Sequence, residues 1–306
     1  MTTWLTPFRD ILLVAGFDLR SSLRSWKALG LLALYLAGSM AASGIFVSAL
    51  QEIEGVLADT LGVAQTSQPG AMTAQLMQSP EVLEILGGLL GDSDLALQLV
   101  QIPPLALFYF WLALVLLPVL VTITSADAIS FERGTGAARF VLSRTNLTSY
   151  VWGKAVGQLA LMFVGVIAGG VGVWLVGYFS LQSFDGPATA AWMLRLGLRT
   201  LPWGAAWLGL SLGVSQVTRH WVASLAAAMV MLVAVGIGGQ VLLHLDWLTD
   251  TAPLVQELLS PLFPAAHKTD LFRPEFSRRL PAMAMLIALG ASWFSLGTWR
   301  LSKVDA

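Results

Sequence analysis

Six stretches of this chain, about residues 28–50, 104–126, 155–179, 198–217, 221–244 and 280–299, are each apolar over roughly the 20 residues a helix needs to cross a hydrocarbon core. No other feature restricts the fold so strongly, because a backbone inside lipid must satisfy its own N–H and C=O groups. Composition agrees with that reading. The chain is 56% hydrophobic and 11% charged, against roughly 25% charged residues in a soluble domain. The expected fold class is an all-α polytopic membrane protein with six transmembrane helices, an N-terminal amphipathic interfacial helix and a small helical external cap. All of it falls in one transmembrane domain, residues 1–306. The fourth span is the weakest of the six, since Arg195 and Arg199 crowd its start.

The net charge of −1 says little, but the placement of the charges says more. No Lys or Arg lies between Lys27 and Arg133, and the loop 51–103 inside that interval carries Glu52, Glu54, Asp59, Glu81, Glu84, Asp92 and Asp94. Arg9, Arg20, Arg24 and Lys27 precede the first span, four cations fall in 127–154, and Arg300 and Lys303 follow the last span. The positive-inside rule then puts both termini and the 127–154 loop in the cytoplasm of a multi-pass inner-membrane protein. The segment 268–279 is the one basic loop on the outer side, partly offset by Asp270 and Glu275.

Within residues 1–26, Trp4, Phe8, Leu12, Ala15, Leu19, Leu23 and Trp26 recur at spacings of three and four. That period predicts an amphipathic helix lying in the interface, in contact with membrane lipid, as an anchor or as a connector to a partner. In the loop 51–103, helical pieces are expected over 52–63 and from Ser79, where Pro80 follows a plausible N-cap. The small-residue motifs GVIAG (165–169) and GLSLG (209–213) read as helix packing.

Catalytic signals are missing. The chain has no cysteine and three scattered histidines, a poor set for a metal. GK at 153–154 lacks the glycine that a phosphate-binding loop requires five residues earlier, and GIGGQ (236–240) lies inside an apolar span. Ionisable groups sit at span ends, as Asp127, Arg219, His220 and His244, which disfavours an ion-coupled carrier or channel. No catalytic residue, metal site or nucleic-acid partner is expected.

The polar segment DAISFERGTGAARFVLSRTNLTSYVWGK (127–154) interrupts this greasy background. Gly134 and Gly136 permit a sharp turn, AARFVL (137–142) suits a short helix, and SRTN breaks it. On these residues alone, a solvated loop that sets topology and a docking loop for a partner are equally good readings. The segment resembles the loop after the second span of type-2 ATP-binding cassette (ABC) permeases. Asp127, Glu132, Gly134-Thr135, Leu142, Arg144 and Gly153-Lys154 answer to that family's pattern, although the Gly-Thr lies closer to the Glu and Thr145-Asn146 stands near the usual proline. The turn VSQVTRHWVAS (214–224), the segment LSPLFPAAHKTDLFRPE (259–275) and the end WRLSKVDA are similar to counterparts in the same order. The spacing from Pro261 or Pro264 to Asp270 and Arg273 is similar to permeases tied to nitrous-oxide-reductase maturation and to gliding motility.

The resemblance implies a permease subunit of an exporter, working with a second copy of itself or a homologous permease and with separate ABC ATPase subunits. Mg-ATP would be bound by those ATPases and not by this chain. The residues implied in ATPase docking are Asp127, Glu132, Arg133, Gly134, Thr135, Arg139, Arg144, Lys154 and Arg219. The alternative is a mechanical relay, in which ATPase motion is passed to an external accessory protein through 51–103 without translocation of a substrate.

Overall fold

The computed structural model describes residues 5–61, 102–181, 184–243, 253–273 and 275–304. Among the described residues there are helices and no strand. The first helix, α1 (Leu5–Arg24), ends at a bend where Ser25 bonds back to the Ser22 carbonyl, and α2 (Trp26–Leu61) follows at once. Residues 52–61 therefore prolong the first span as one helix instead of starting a separate piece of the cap. The remaining cap residues, and the helix expected from Ser79, lie outside the described residues.

The second span is α3 (Pro104–Ser125), which opens with proline in its first turn, where the missing N–H costs nothing. Two short helices, α4 (Ser130–Thr135) and α5 (Ala137–Leu142), fill the polar segment. The third span, α6 (Leu147–Ser180), begins eight residues before the expected 155. Asn146 caps it by accepting the Ser149 N–H at 2.6 Å. The longest departure is α7 (Gly186–Val217). It starts twelve residues before 198, with Asp185 capping at the Ala188 N–H. The fifth and sixth expected spans are α8 (Trp221–Leu243) and α10 (Phe276–Val304). Between them, α9 (Pro253–Leu259) leads into three 3₁₀ turns over Ser260–Leu271.

Among the described residues, five helices are long and apolar enough to cross a membrane, in the stretches Trp26–Ile53, Pro104–Thr135, Leu147–Ser180, Trp221–Val241 and Phe276–Lys303. The remaining expected crossing, the fourth in chain order, in α7, has the length, at 32 residues or about 48 Å. It lacks the apolarity because it is the bundle's interior. It packs on α3, α6, α8 and α10 and buries Trp203, Trp207, Thr200, Ser211, Ser215 and Gln216. A helix covered by other helices can carry polar groups that a lipid-facing one cannot, provided they find partners. Trp203 Nε1 accordingly donates to the Leu114 carbonyl at 2.9 Å, and Ser211 Oγ to Thr122 Oγ1 at 3.2 Å.

Small residues set the closest approaches. Gly209 lies against the Gly290 backbone, and a Cβ on Gly213 would stand 2.6 Å from the Trp293 carbonyl. Both motifs read as packing elements do pack, since a Cβ on Gly165 would meet Leu120 at 2.9 Å. At the bundle end remote from the polar segment, Leu271 is fully buried and the Phe272 ring meets Phe110 edge-on at 4.6 Å. Those contacts seat the 3₁₀ turns on α3 and give the apolar letters of that segment their purpose.

Candidate functional site, the polar platform

At the loop end of the bundle, α4 and α5 form a hairpin around Gly136. Its φ of 79° is the left-handed value that glycine adopts without penalty. Backbone groups at the entry to the hairpin are bolted to α7 and α8. Ile129 and Ser130 N–H both donate to Ser215 Oγ at 3.1 Å, and Ser224 Oγ donates to the Ala126 carbonyl. Arg133 Nη1 donates to the Gln216 carbonyl at 2.6 Å and to the Thr218 carbonyl at 3.4 Å. A cation on the last carbonyls of a helix both satisfies orphan acceptors and meets the negative end of the helix dipole. A Cβ on Gly134 would lie 2.7 Å from the Arg219 carbonyl, so the glycine lets α4 touch the 218–220 turn. The polar segment and that turn, joined by residues about 85 positions apart in sequence, thus form one surface.

A second set of contacts runs inward. Lys154 Nζ donates to Asp18 Oδ1 at 2.6 Å and to Glu132 Oε1 at 2.5 Å. Tyr150 OH donates to Glu132 Oε2 at 2.7 Å, and Gln158 Nε2 to Asp18 Oδ2 at 2.9 Å. The Lys154 and Asp18 side chains are each 7% exposed and that of Glu132 is 22% exposed. One ammonium between two carboxylates, each with a further donor, meets the requirement that buried charges be paired and hydrogen-bonded. Geometrically the cluster fastens α1 to α4 and α6. Gly153 and Gly157 make room for it, since a Cβ on Gly157 would stand 2.8 Å from Asp18 Oδ2 and 3.2 Å from the Ala15 carbonyl.

Asp18 is therefore no ordinary member of a solvated polar face. The helix α1 buries Ala15 and Asp18 on α6 while Phe8, Leu12, Leu13 and Phe17 stay exposed, which leaves an apolar stripe for lipid. The separate anchoring pair Lys27–Asp127, at 2.6 Å and more open, ties the start of α2 to the segment. These groups line a cavity of about 340 Å³, with Asp18, Lys27, Asp127, Glu132, Lys154 and Gln158 in its wall.

The nine residues singled out from the sequence thus divide by direction. Asp127, Glu132, Arg133 and Lys154 are engaged within the chain. Gly134 is a close-approach position, and Thr135 Oγ1 bonds back to the Phe131 carbonyl at 3.0 Å. Arg139, Arg144 and Arg219 are exposed, and beside them stand Phe131 at 52% and Phe140 at 79% exposure. In the sequence each of these two phenylalanines looks like core, as an aromatic in an apolar chain. Gly134 and Gly136, just before the short helix that carries Phe140, are the only local hint of a turn that presents it outward.

Among the described residues no group of three or more metal-ligating side chains comes together. Long apolar helices around a buried helix, with a polar platform at one end, define an all-α polytopic membrane protein. The chain belongs to the ABC-2 family of transporter proteins, whose family model matches residues 12–304. No curated protein matches the chain.

Proposed function

We propose that the chain is the permease subunit of an ABC-type exporter, with α7 as its fourth crossing helix. Separate ATPase subunits dock on the 127–154 segment together with the 218–221 turn. A second copy or a homologous permease completes the pathway, Mg-ATP is bound and hydrolysed on the partner, and both termini lie on the ATPase side of the inner membrane.

What supports this reading above all is the outward face of the α4–α5 hairpin. An aromatic exposed as far as Phe140, flanked by Arg139 and Arg144, is a poor choice for a solvated loop and the usual composition of an interface anchor. The hairpin is also fixed to α7 through Arg133 and Ser215 and to α6 and α1 through Glu132 and Lys154. A push on it is delivered to three helices instead of being absorbed by a slack loop. The motor's differential affinity for two bundle arrangements would then drive alternation between them.

The test is co-purification of a nucleotide-binding ATPase with the full chain from its native membrane. Phe140→Ala together with Arg139→Glu should lower ATPase recovery about tenfold, the scale of one lost hot spot, with insertion unchanged. Equal recovery from the double variant refutes docking on this face.

A further inference from the structure

Far from the platform, three arginines converge with no acid paired to them among the described residues. The packing contacts set the register of α7 and α10. Gly209 lies against Gly290, and Gly213 against Trp293 and Gly297, so the two helices run parallel. Arg279 stands eleven residues before Gly290, while Arg199 and Arg195 stand ten and fourteen before Gly209. Arg279 is therefore level with the pair on α7, and Arg199 is close enough to Arg279 and Arg195 for their like charges to act on it. The Arg279 guanidinium has Nε and Nη1 buried without any hydrogen-bond partner. Its planar group lies 5.6 Å from the Phe276 ring centroid, as that of Arg195 lies 5.5 Å from Trp192.

Three of the described acids at this end are already occupied, and two others, Glu52 and Glu257, are exposed. Asp185 caps α7, Asp270 holds Arg273 at 3.1 Å, and Glu275 meets Arg278 at 3.5 Å. Guanidinium cannot discharge by losing its proton, so the half-buried Arg199 and Arg279, set among like charges, are costly until an anion reaches them. Depth narrows the class. Arg199 lies 18 residues before Val217, about 27 Å along the helix, close to the thickness of a hydrocarbon core. The cluster thus falls at the polar boundary opposite the platform, where phosphate oxygens are the abundant anions.

We propose that Arg195, Arg199 and Arg279 form a site for a phosphate-class oxyanion at this boundary, recognised by the forked donors that fit phosphate. The site does not depend on ATPase docking, because none of its residues belongs to the platform. Phospholipid head group and soluble phosphate share this chemistry, and the test separates them.

The full chain, with no ATPase present, is placed in bilayer discs of phosphatidylcholine with or without phosphatidylglycerol. Retained lipid is counted by native mass spectrometry, and inorganic phosphate is titrated calorimetrically in parallel. Wild type should retain phosphatidylglycerol over phosphatidylcholine or bind phosphate, more weakly as salt rises. Arg279→Gln and the more exposed Arg195→Gln should each weaken that binding about tenfold, the scale of one charged hydrogen bond. Arg278→Gln, an exposed neighbour paired with Glu275, should leave it unchanged. Preference for phosphatidylglycerol alone assigns the site to lipid, and phosphate binding alone assigns it to a soluble anion. If neither probe binds, or if Arg195→Gln and Arg279→Gln both bind as wild type does, the site is refuted.

Discussion

Replacing Lys154 by methionine removes the single cation between Asp18 and Glu132 and keeps nearly the same volume. At 7% exposure, with contacts of 2.6 and 2.5 Å, the ammonium is the main compensation for two carboxylates that solvent barely reaches. Breaking a buried ion pair by deleting one partner costs about 3–5 kcal/mol, chiefly through the charge left behind. Here Gln158 and Tyr150 still donate to the abandoned carboxylates, which offsets part of that cost, while partial exposure of Glu132 softens it further. A cost of about 3 kcal/mol is expected, on the order of 5 °C in the unfolding midpoint of a chain this size. The assay is thermal unfolding of the detergent-solubilised chain, wild type against Lys154→Met, Asp18→Asn and the double variant. The double variant should recover much of the loss, because it removes the stranded charge next to α1. A midpoint lowered by less than about 2 °C, or a double variant showing the plain sum of the single losses, would refute the claim that this cluster clamps α1 to α6.

Other consequences follow from the same contacts. Ser215→Ala removes the acceptor shared by the Ile129 and Ser130 N–H groups and should cost about 1–3 kcal/mol, read by thermal unfolding. Gly136→Ala forces a side chain into a φ of 79° and should destabilise the hairpin by about 1–2 kcal/mol, seen as faster protease cleavage within 127–146. Gly157→Leu puts side-chain atoms where Asp18 and the Ala15 carbonyl now lie, and should free α1 from α6, measured as loss of a disulfide engineered between the two helices.

Much of the fold was legible because lipid asks one simple thing of a sequence. The stretches 104–126 and 221–244 were within a residue or so of Pro104–Ser125 and Trp221–Leu243, since apolar runs there end where the helices end. The start of α7 was hidden because Arg195 and Arg199 look like a loop, yet a helix continues through them to the Asp185 cap. The start of α6 was hidden because Lys154 looks like the last residue before the membrane. In the fold it is buried by a carboxylate 136 residues away. The same long-range pairing explains the site. Composition marked 127–154 as unusual, but not which of its charges turn inward to Asp18, Gln216 and Lys27 and which are left outside beside Phe140. Direction is a property of the packing between α1, α6 and α7, and no local pattern in the segment records it.

The central claim, that a separate ATPase bears on the α4–α5 hairpin, can be tested with single cysteines, because the chain has none of its own. Phe140→Cys, labelled with a photoactivatable crosslinker in native membranes, is compared with Trp299→Cys, an exposed position on α10. The account predicts a crosslinked product of Phe140→Cys with a nucleotide-binding subunit, altered in yield by ATP, and no such product from Trp299→Cys. A nucleotide-binding subunit that crosslinks from Trp299→Cys and never from Phe140→Cys would contradict it.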